Sequence, residues 1–181
     1  MQNYLIGLLL IILTPIIIED FRHRKISVLW IAGIIVTAVF QQLYSNVTFS
    51  SFLINSLFNL LIILVNYVVL TLYFSWRNKK FIDIRTQYLG IGDVAFLFSV
   101  AFLLSPVNFI CFLLSSLIFS LVFALVGKLL LPTKFSTIPL AGLQALFLAF
   151  TILVVSFQDK NWLINNDEFT LSIILSYAGI S

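Results

Sequence analysis

The sequence predicts an all-α, polytopic integral membrane protein with six transmembrane helices and a short C-terminal apolar segment. Of its 181 residues, 61% are hydrophobic and only 9% are charged, and the mean hydropathy is +1.14. Soluble domains carry about 25% charged residues, so this chain has too little polar surface to cover itself in water. A single cysteine excludes an internal disulfide framework and a cysteine-based zinc site. Residues 1–181 are therefore interpreted as one membrane-embedded domain.

Six apolar runs, separated by polar or proline-containing breaks, account for most of the chain. They are Tyr4–Ile18, Val28–Leu43, Phe52–Ser75, a run from about Asp93 to Leu104, Phe109–Leu131 and Ile138–Phe157. A seventh run, Phe169–Ile180, has only twelve residues. A full span takes about 20 residues, so this last run is expected to be interfacial or half-inserted.

The basic residues predict the orientation of these helices. Nine of the ten Lys and Arg residues lie in the first, third and fifth connections, and only Lys160 lies elsewhere. Cytoplasmic loops carry the excess of positive charge in membrane proteins. The pattern predicts a multi-pass protein of the inner or cytoplasmic membrane with its N-terminus outside. The basic residues form short loop clusters and no continuous stripe, so nucleic-acid binding is not expected.

Two acidic residues, Asp20 and Asp93, are the candidate functional groups. Asp93 ends the sequence Gly-Ile-Gly-Asp at 90–93 and opens an apolar run, a position where a carboxylate is costly to keep. Gly90 and Gly92 allow a positive φ or a close backbone approach, although for the motif taken alone a plain helix N-cap at Asp93 is the better explanation. The topology places Asp20 and Asp93 on the cytoplasmic side, and helix rise places both about 5–13 Å below that membrane boundary.

Two carboxyl groups at similar depth suit aspartic-protease chemistry, which needs no metal or cofactor. Two neighbouring carboxyls that cannot both ionise share one proton, so one can activate water while the other protonates the leaving amide. Arg22 and Arg24 would favour the ionised partner, and they also serve as orientation determinants. For Asp20 the simpler alternative is an interfacial ion pair with Arg24 or Lys25. Glu19 is the rival carboxylate.

Three segments resemble type IV prepilin peptidases and archaeal preflagellin peptidases. Asp20–Ser27 looks like their Asp-x-Arg-x-Arg-x-Ile segment, Gly90–Asp93 matches their Gly-x-Gly-Asp signature, and Ile138–Ala145 is similar to a Pro-containing segment that opens a later core helix, here with Pro139. The segments occur in the family's order over essentially the whole chain. The resemblance implies an intramembrane aspartyl endopeptidase with Asp20 and Asp93 as its catalytic pair. Its substrate would be a pilin-like precursor with a basic leader and a hydrophobic helix, cut on the cytoplasmic side.

The chain also departs from the family pattern. Ala95 stands where a Lys commonly follows the second aspartate, and Ser27-Val28 replaces Pro-Asn after Ile26. Without the cysteine-rich insert of the larger enzymes, the chain resembles the minimal, peptidase-only type, so methyltransferase activity is not expected. The alternative function is a non-catalytic membrane component, either a transporter subunit or a scaffold of a pilus or secretion machine. That alternative needs no pair of carboxylates.

Overall fold

The computed structural model describes residues 2–43, 48–79, 90–130 and 139–156, and every regular element within these ranges is an α-helix. The all-α prediction is therefore confirmed. The helices are α1 (Gln2–His23), α2 (Val28–Leu43), α3 (Phe49–Asn78), α4 (Ile91–Ala101), α5 (Pro106–Leu130) and α6 (Leu140–Ser156). The predicted interfacial run Phe169–Ile180 lies outside the described residues.

Three of the described helices are long and apolar enough to cross a membrane, which supports membrane association. They comprise Tyr4–His23 within α1, all of α3 and all of α5. Helices α2, α4 and α6 are apolar but have only 16, 11 and 17 residues. Of the six predicted spans, these three helices are thus confirmed as long and apolar enough to cross a membrane.

Helix α4 is short because the chain turns before Pro106. The predicted fourth run extends to Leu104, whereas α4 ends at Ala101 and the next residues form a turn. Asn59, fully buried on α3, donates through Nδ2 to the carbonyl oxygens of Ala101 (3.0 Å) and Leu104 (2.8 Å). Pro106 then occupies the first position of α5, where its missing N–H costs nothing. A buried side-chain amide thus joins α3 to the α4–α5 turn.

Helix α1 is the centre of the packing, with α6 and α2 against it. Helix α6 also packs on α5, α4 lies between α2 and α3, and α3 contacts α4 and α5. The buried core combines side chains from α1, α4 and α6, including Leu13, Ile16, Phe96, Ala145 and Leu148. This arrangement brings the end of α1 and the start of α4 to the N-terminus of α6.

The connection between α1 and α2 folds back against α1. Arg24 has a left-handed backbone (φ 54°), and its N–H donates to the carbonyl oxygen of Asp20 at 3.1 Å. The Glu19 carboxylate accepts hydrogen bonds from the Ser27 N–H (2.8 Å) and from Trp30 Nε1 (3.0 Å). Glu19 therefore holds the start of α2 against the end of α1, next to Asp20.

Candidate active site

Asp20 lies in the last turn of α1 and is directed into the protein. Its side chain is only 6% exposed. Its Oδ2 accepts a hydrogen bond of 2.6 Å from the backbone N–H of Gly142, in the first turn of α6. This bond crosses 122 residues of sequence.

Asp93 is the third residue of α4 and makes two contacts through different oxygens. Its Oδ2 accepts from the N–H of Gly90 at 3.2 Å, and its own N–H donates to the Gly90 carbonyl oxygen at 3.1 Å. Its Oδ1 accepts a 2.8 Å hydrogen bond from the N–H of Ala141. The half-buried carboxylate therefore closes the start of α4 from the third helical position, with Gly90 and not Asp93 as the N-cap, and it also reaches α6.

The two aspartates meet at the N-terminus of α6. The first N–H groups of a helix have no acceptor within that helix, and here the carboxylates of Asp93 and Asp20 accept from two consecutive ones, those of Ala141 and Gly142. The positive end of the helix dipole stabilises negative charge at this position. The two carboxylates are also close enough for the charge of Asp20 to act on Asp93. The structure thus brings together the two residues that the sequence singled out.

Pro139 begins the segment that carries these amides. It is buried, and its carbonyl oxygen accepts from the N–H of Leu143 at 3.0 Å, which closes the first turn of α6. Proline has no N–H, so in the described segment 139–156 the first amides that can donate to the carboxylates are those after Pro139. Pro139 therefore shapes the helix start and does not itself bind either aspartate.

The glycines act through close approach. A Cβ on Gly142 would lie 2.9 Å from Phe21 Cδ2 and 3.0 Å from Asp20 Oδ2, so a larger residue would push on both. A Cβ on Gly90 would lie 3.0 Å from Asp93 Oδ2, and Gly90 itself has an extended backbone (φ −65°, ψ 142°). A Cβ on Gly92 would lie 3.3 Å from Ile26 Cδ1, in the α1–α2 connection. A positive φ is thus not what the site requires at Gly90.

The two arginines differ in their relation to the aspartates. Both are exposed, but the positive charge of Arg24 acts on Asp20 and on Asp93. The charge of Arg22 is not among those that act on either carboxylate. The left-handed turn at Arg24 therefore brings one positive charge to the pair, from the arginine that the ion-pair alternative for Asp20 named.

Sequence reasoning missed the two backbone amides that bind the aspartates. The amides of Ala141 and Gly142 were not predicted as ligands of the carboxylates, although a proline at the start of an apolar run is a recognisable helix N-terminus. Glu19, considered as a rival carboxylate, accepts hydrogen bonds from Ser27 and Trp30 through its two oxygens.

Within the described part of the chain, no group of three or more His, Cys, Asp or Glu residues could hold a metal ion.

Comparison of the chain with protein-family models, with curated proteins and with solved structures gives no match. The geometry of the site and the sequence pattern therefore carry the functional argument.

Proposed function

We propose that the chain is an intramembrane aspartyl endopeptidase in which Asp20 and Asp93 form the catalytic pair. The observation that carries this proposal is the hydrogen bonding of both carboxylates to consecutive amides of α6. A helix start can be capped by one side chain, and a single short polar residue is the usual solution. Two acids from different helices at one helix start bring two titratable groups together, which is the arrangement that acid–base hydrolysis requires.

In the proposed reaction, the ionised carboxylate removes a proton from water, and the resulting hydroxide attacks the carbonyl carbon of the scissile peptide bond. The other carboxyl group donates its proton to the amide nitrogen as the C–N bond breaks. The products are a new carboxyl terminus and a new amino terminus, and the pair again holds a single proton. Because the two groups titrate together, neither is assigned as the permanent acid.

The backbone of α6 and the side chain of Arg24 have supporting roles in this proposal. The Ala141 and Gly142 amides hold one oxygen of each carboxylate in a fixed position, so little reorganisation is needed during proton transfer. The α6 dipole and the nearby charge of Arg24 favour the singly ionised pair over the fully protonated one.

The proposed substrate is a pilin-like precursor whose basic leader precedes a hydrophobic helix, cut at the junction of the two. In the six-span topology predicted from loop charge, the N-terminus is outside and the end of α1 and the start of α4 face the cytoplasm. The substrate helix would lie in the bilayer beside the enzyme, with its leader on the cytoplasmic side. Peptidase activity without methyl transfer fits a chain that has one cysteine and no cysteine-rich insert.

The test is cleavage of a purified pilin-like precursor by membranes that contain the wild-type protein, Asp20→Asn or Asp93→Asn. Asparagine keeps one carbonyl oxygen to accept the α6 amide, so both variants should fold, and their thermal unfolding checks this. We expect cleavage by the wild type and a loss of about 100-fold or more in each variant. Cleavage that survives either substitution contradicts the two-aspartate mechanism. A wild type that cleaves no precursor favours the non-catalytic membrane component.

A further inference from the structure

Gln144 is a buried carboxamide without a hydrogen-bond partner. Its side chain is fully buried, and both Oε1 and Nε2 lack a partner among the described residues. Leaving a buried polar group unpaired costs about 1–3 kcal/mol, so such groups normally have a protein, water or ligand partner. Asn59 and Gln41 each lack a partner for one oxygen only. Gln144 is therefore the described side chain whose polarity the packing explains least.

Gln144 lies close to the first turn of α6, which binds the aspartate pair. It lies two residues after Gly142 and three after Ala141, in the helix whose first amides bind Asp20 and Asp93. At about 100° per residue, it is about 60° from Ala141 around the axis and about 160° from Gly142. Helical side chains lean back towards the N-terminus, which returns the Gln144 amide to the level of the first turn. The amide is thus near the level of the first turn, on the face of α6 turned away from the one where Gly142 meets Asp20 and Phe21.

Helix α5 contributes one buried hydroxyl group near this level. Phe21 packs against Phe123 of α5 and lies where a Cβ on Gly142 would be, while Phe147 packs against Phe119. Helices α5 and α6 therefore run antiparallel, with the residues between 119 and 123 opposite Gln144. Ser120 lies in this interval and is buried, and its hydroxyl donates to the Ser116 carbonyl oxygen at 2.8 Å. Its oxygen can still accept a hydrogen bond from another group.

We propose that Gln144 is a water-binding residue that holds a buried water beside Asp93, between α5 and α6. This inference rests on the proposed peptidase function. The carboxamide can donate through Nε2 and accept through Oε1, and the Ser120 oxygen can accept as well, so a water molecule there has the two or more polar partners that a buried water needs. Gln144 acts through this water and is a positioning residue. Peptide hydrolysis consumes one water per turnover, and an apolar membrane interior supplies it poorly.

The experiment compares Gln144→Met with Gln41→Met. Methionine has a similar volume and no hydrogen-bonding amide, so Gln144→Met should unfold at the same temperature as the wild type or a higher one. We expect its kcat to fall about 10-fold or more with KM changed less than about 3-fold, because the misplaced species is the nucleophile and not the substrate. Gln41, also buried, lies about 20 Å along α2 from the α1–α2 connection. Gln41→Met should leave kcat unchanged.

An experimental map of the wild type in lipid, at a resolution that shows ordered water, gives the second readout. We expect a water within hydrogen-bond distance of the Gln144 amide. Unchanged kcat in Gln144→Met, or a map in which the amide contacts only protein atoms, overturns the inference. If the wild type cleaves no precursor, the peptidase proposal fails by itself, and the map still decides whether Gln144 binds water.

Discussion

Asp20 and Asp93 accept hydrogen bonds from adjacent backbone amides, those of Gly142 and Ala141, at 2.6 and 2.8 Å. The two acids come from the end of α1 and the start of α4, 73 residues apart in sequence. Their separation is set by the backbone of a third helix, which is stiffer than any pair of side chains.

The proposed peptidase activity should rise and then fall as the pH increases. At low pH both carboxyls are protonated and no base remains to activate water, whereas at high pH both are ionised and no acid remains for the leaving amide. We therefore expect kcat/KM to rise and then fall with increasing pH. The measurement is precursor cleavage across the range, with circular dichroism at each pH to show that the protein stays folded. A profile with one limb only would indicate that a single group carries the chemistry.

Gly142→Ala should lower activity, whereas Gly7→Ala on α1 should not. The added Cβ would meet Phe21 at 2.9 Å and Asp20 Oδ2 at 3.0 Å, so either the ring moves or the carboxylate leaves its amide. Overpacking of this kind costs about 1–3 kcal/mol. We expect a loss of about 10-fold or more in kcat, since displacements of about 1 Å at a catalytic group have effects of this size or larger.

Gly7→Ala is the matched control, because a Cβ on Gly7 has no neighbour within 4 Å among the described residues. It should keep wild-type activity and should unfold at the same temperature or slightly higher, since alanine is the better helix former. Equal activity of Gly142→Ala and Gly7→Ala would mean that the close approach of Phe21 and Asp20 to α6 is not needed for catalysis.

The sequence was informative about the helices and about the end of the molecule where the acids lie. The second apolar run coincides with α2, and the ends of the others agree within a few residues, because hydrophobic length and proline positions are local properties. The fourth run was predicted too long, because its last three residues are turned by a hydrogen bond to Asn59, on another helix. A hydrogen bond between residues so far apart cannot be predicted from the local hydrophobic pattern.

The finer geometry of the site depended on long-range packing. Gly-x-Gly-Asp identified Asp93, but its acceptance of the Ala141 amide requires α4 and α6 to meet, which no local pattern specifies. Arg24 is four residues after Asp20 and Arg22 only two, so the spacing already favours Arg24 as its neighbour, but the left-handed turn at Arg24 is not predictable from the spacing. Glu19 differs from Asp20 for a similar reason, since its bonds to Ser27 and Trp30 exist only after the connection folds back.

Glu19→Gln should reduce stability and largely keep activity, the opposite of Asp20→Asn. Glutamine offers one oxygen in place of two, so either the Ser27 N–H or Trp30 Nε1 loses its acceptor, and the remaining bond is no longer charge-assisted. Because the site is partly exposed, we expect a loss of about 1–2 kcal/mol in the free energy of unfolding. Thermal unfolding and precursor cleavage, measured for both variants, give the comparison. Loss of catalysis in a stable Glu19→Gln protein would make Glu19, and not Asp20, the partner of Asp93.

Asn59→Leu should destabilise the protein without abolishing catalysis. Asn59 lies where α3 meets the α4–α5 turn, away from the aspartate pair. Leucine has a similar size but leaves the carbonyl oxygens of Ala101 and Leu104 without the donor that Asn59 provides. Side-chain hydrogen bonds between membrane helices contribute about 0.6–2 kcal/mol, and two are lost here, so we expect a loss of about 1–3 kcal/mol in the free energy of unfolding.

Asn66→Leu is the control, because the exposed Asn66 donates only to Ile62 of its own helix among the described contacts. The two variants should differ in unfolding free energy, measured in the same detergent, while their kcat values stay within about 3-fold of the wild type, since neither residue touches the carboxylates. Equal stability of the two would show that α3 is held by apolar packing alone, and a large fall in kcat for Asn59→Leu would show that the α4–α5 turn helps to position Asp93 at the other end of α4.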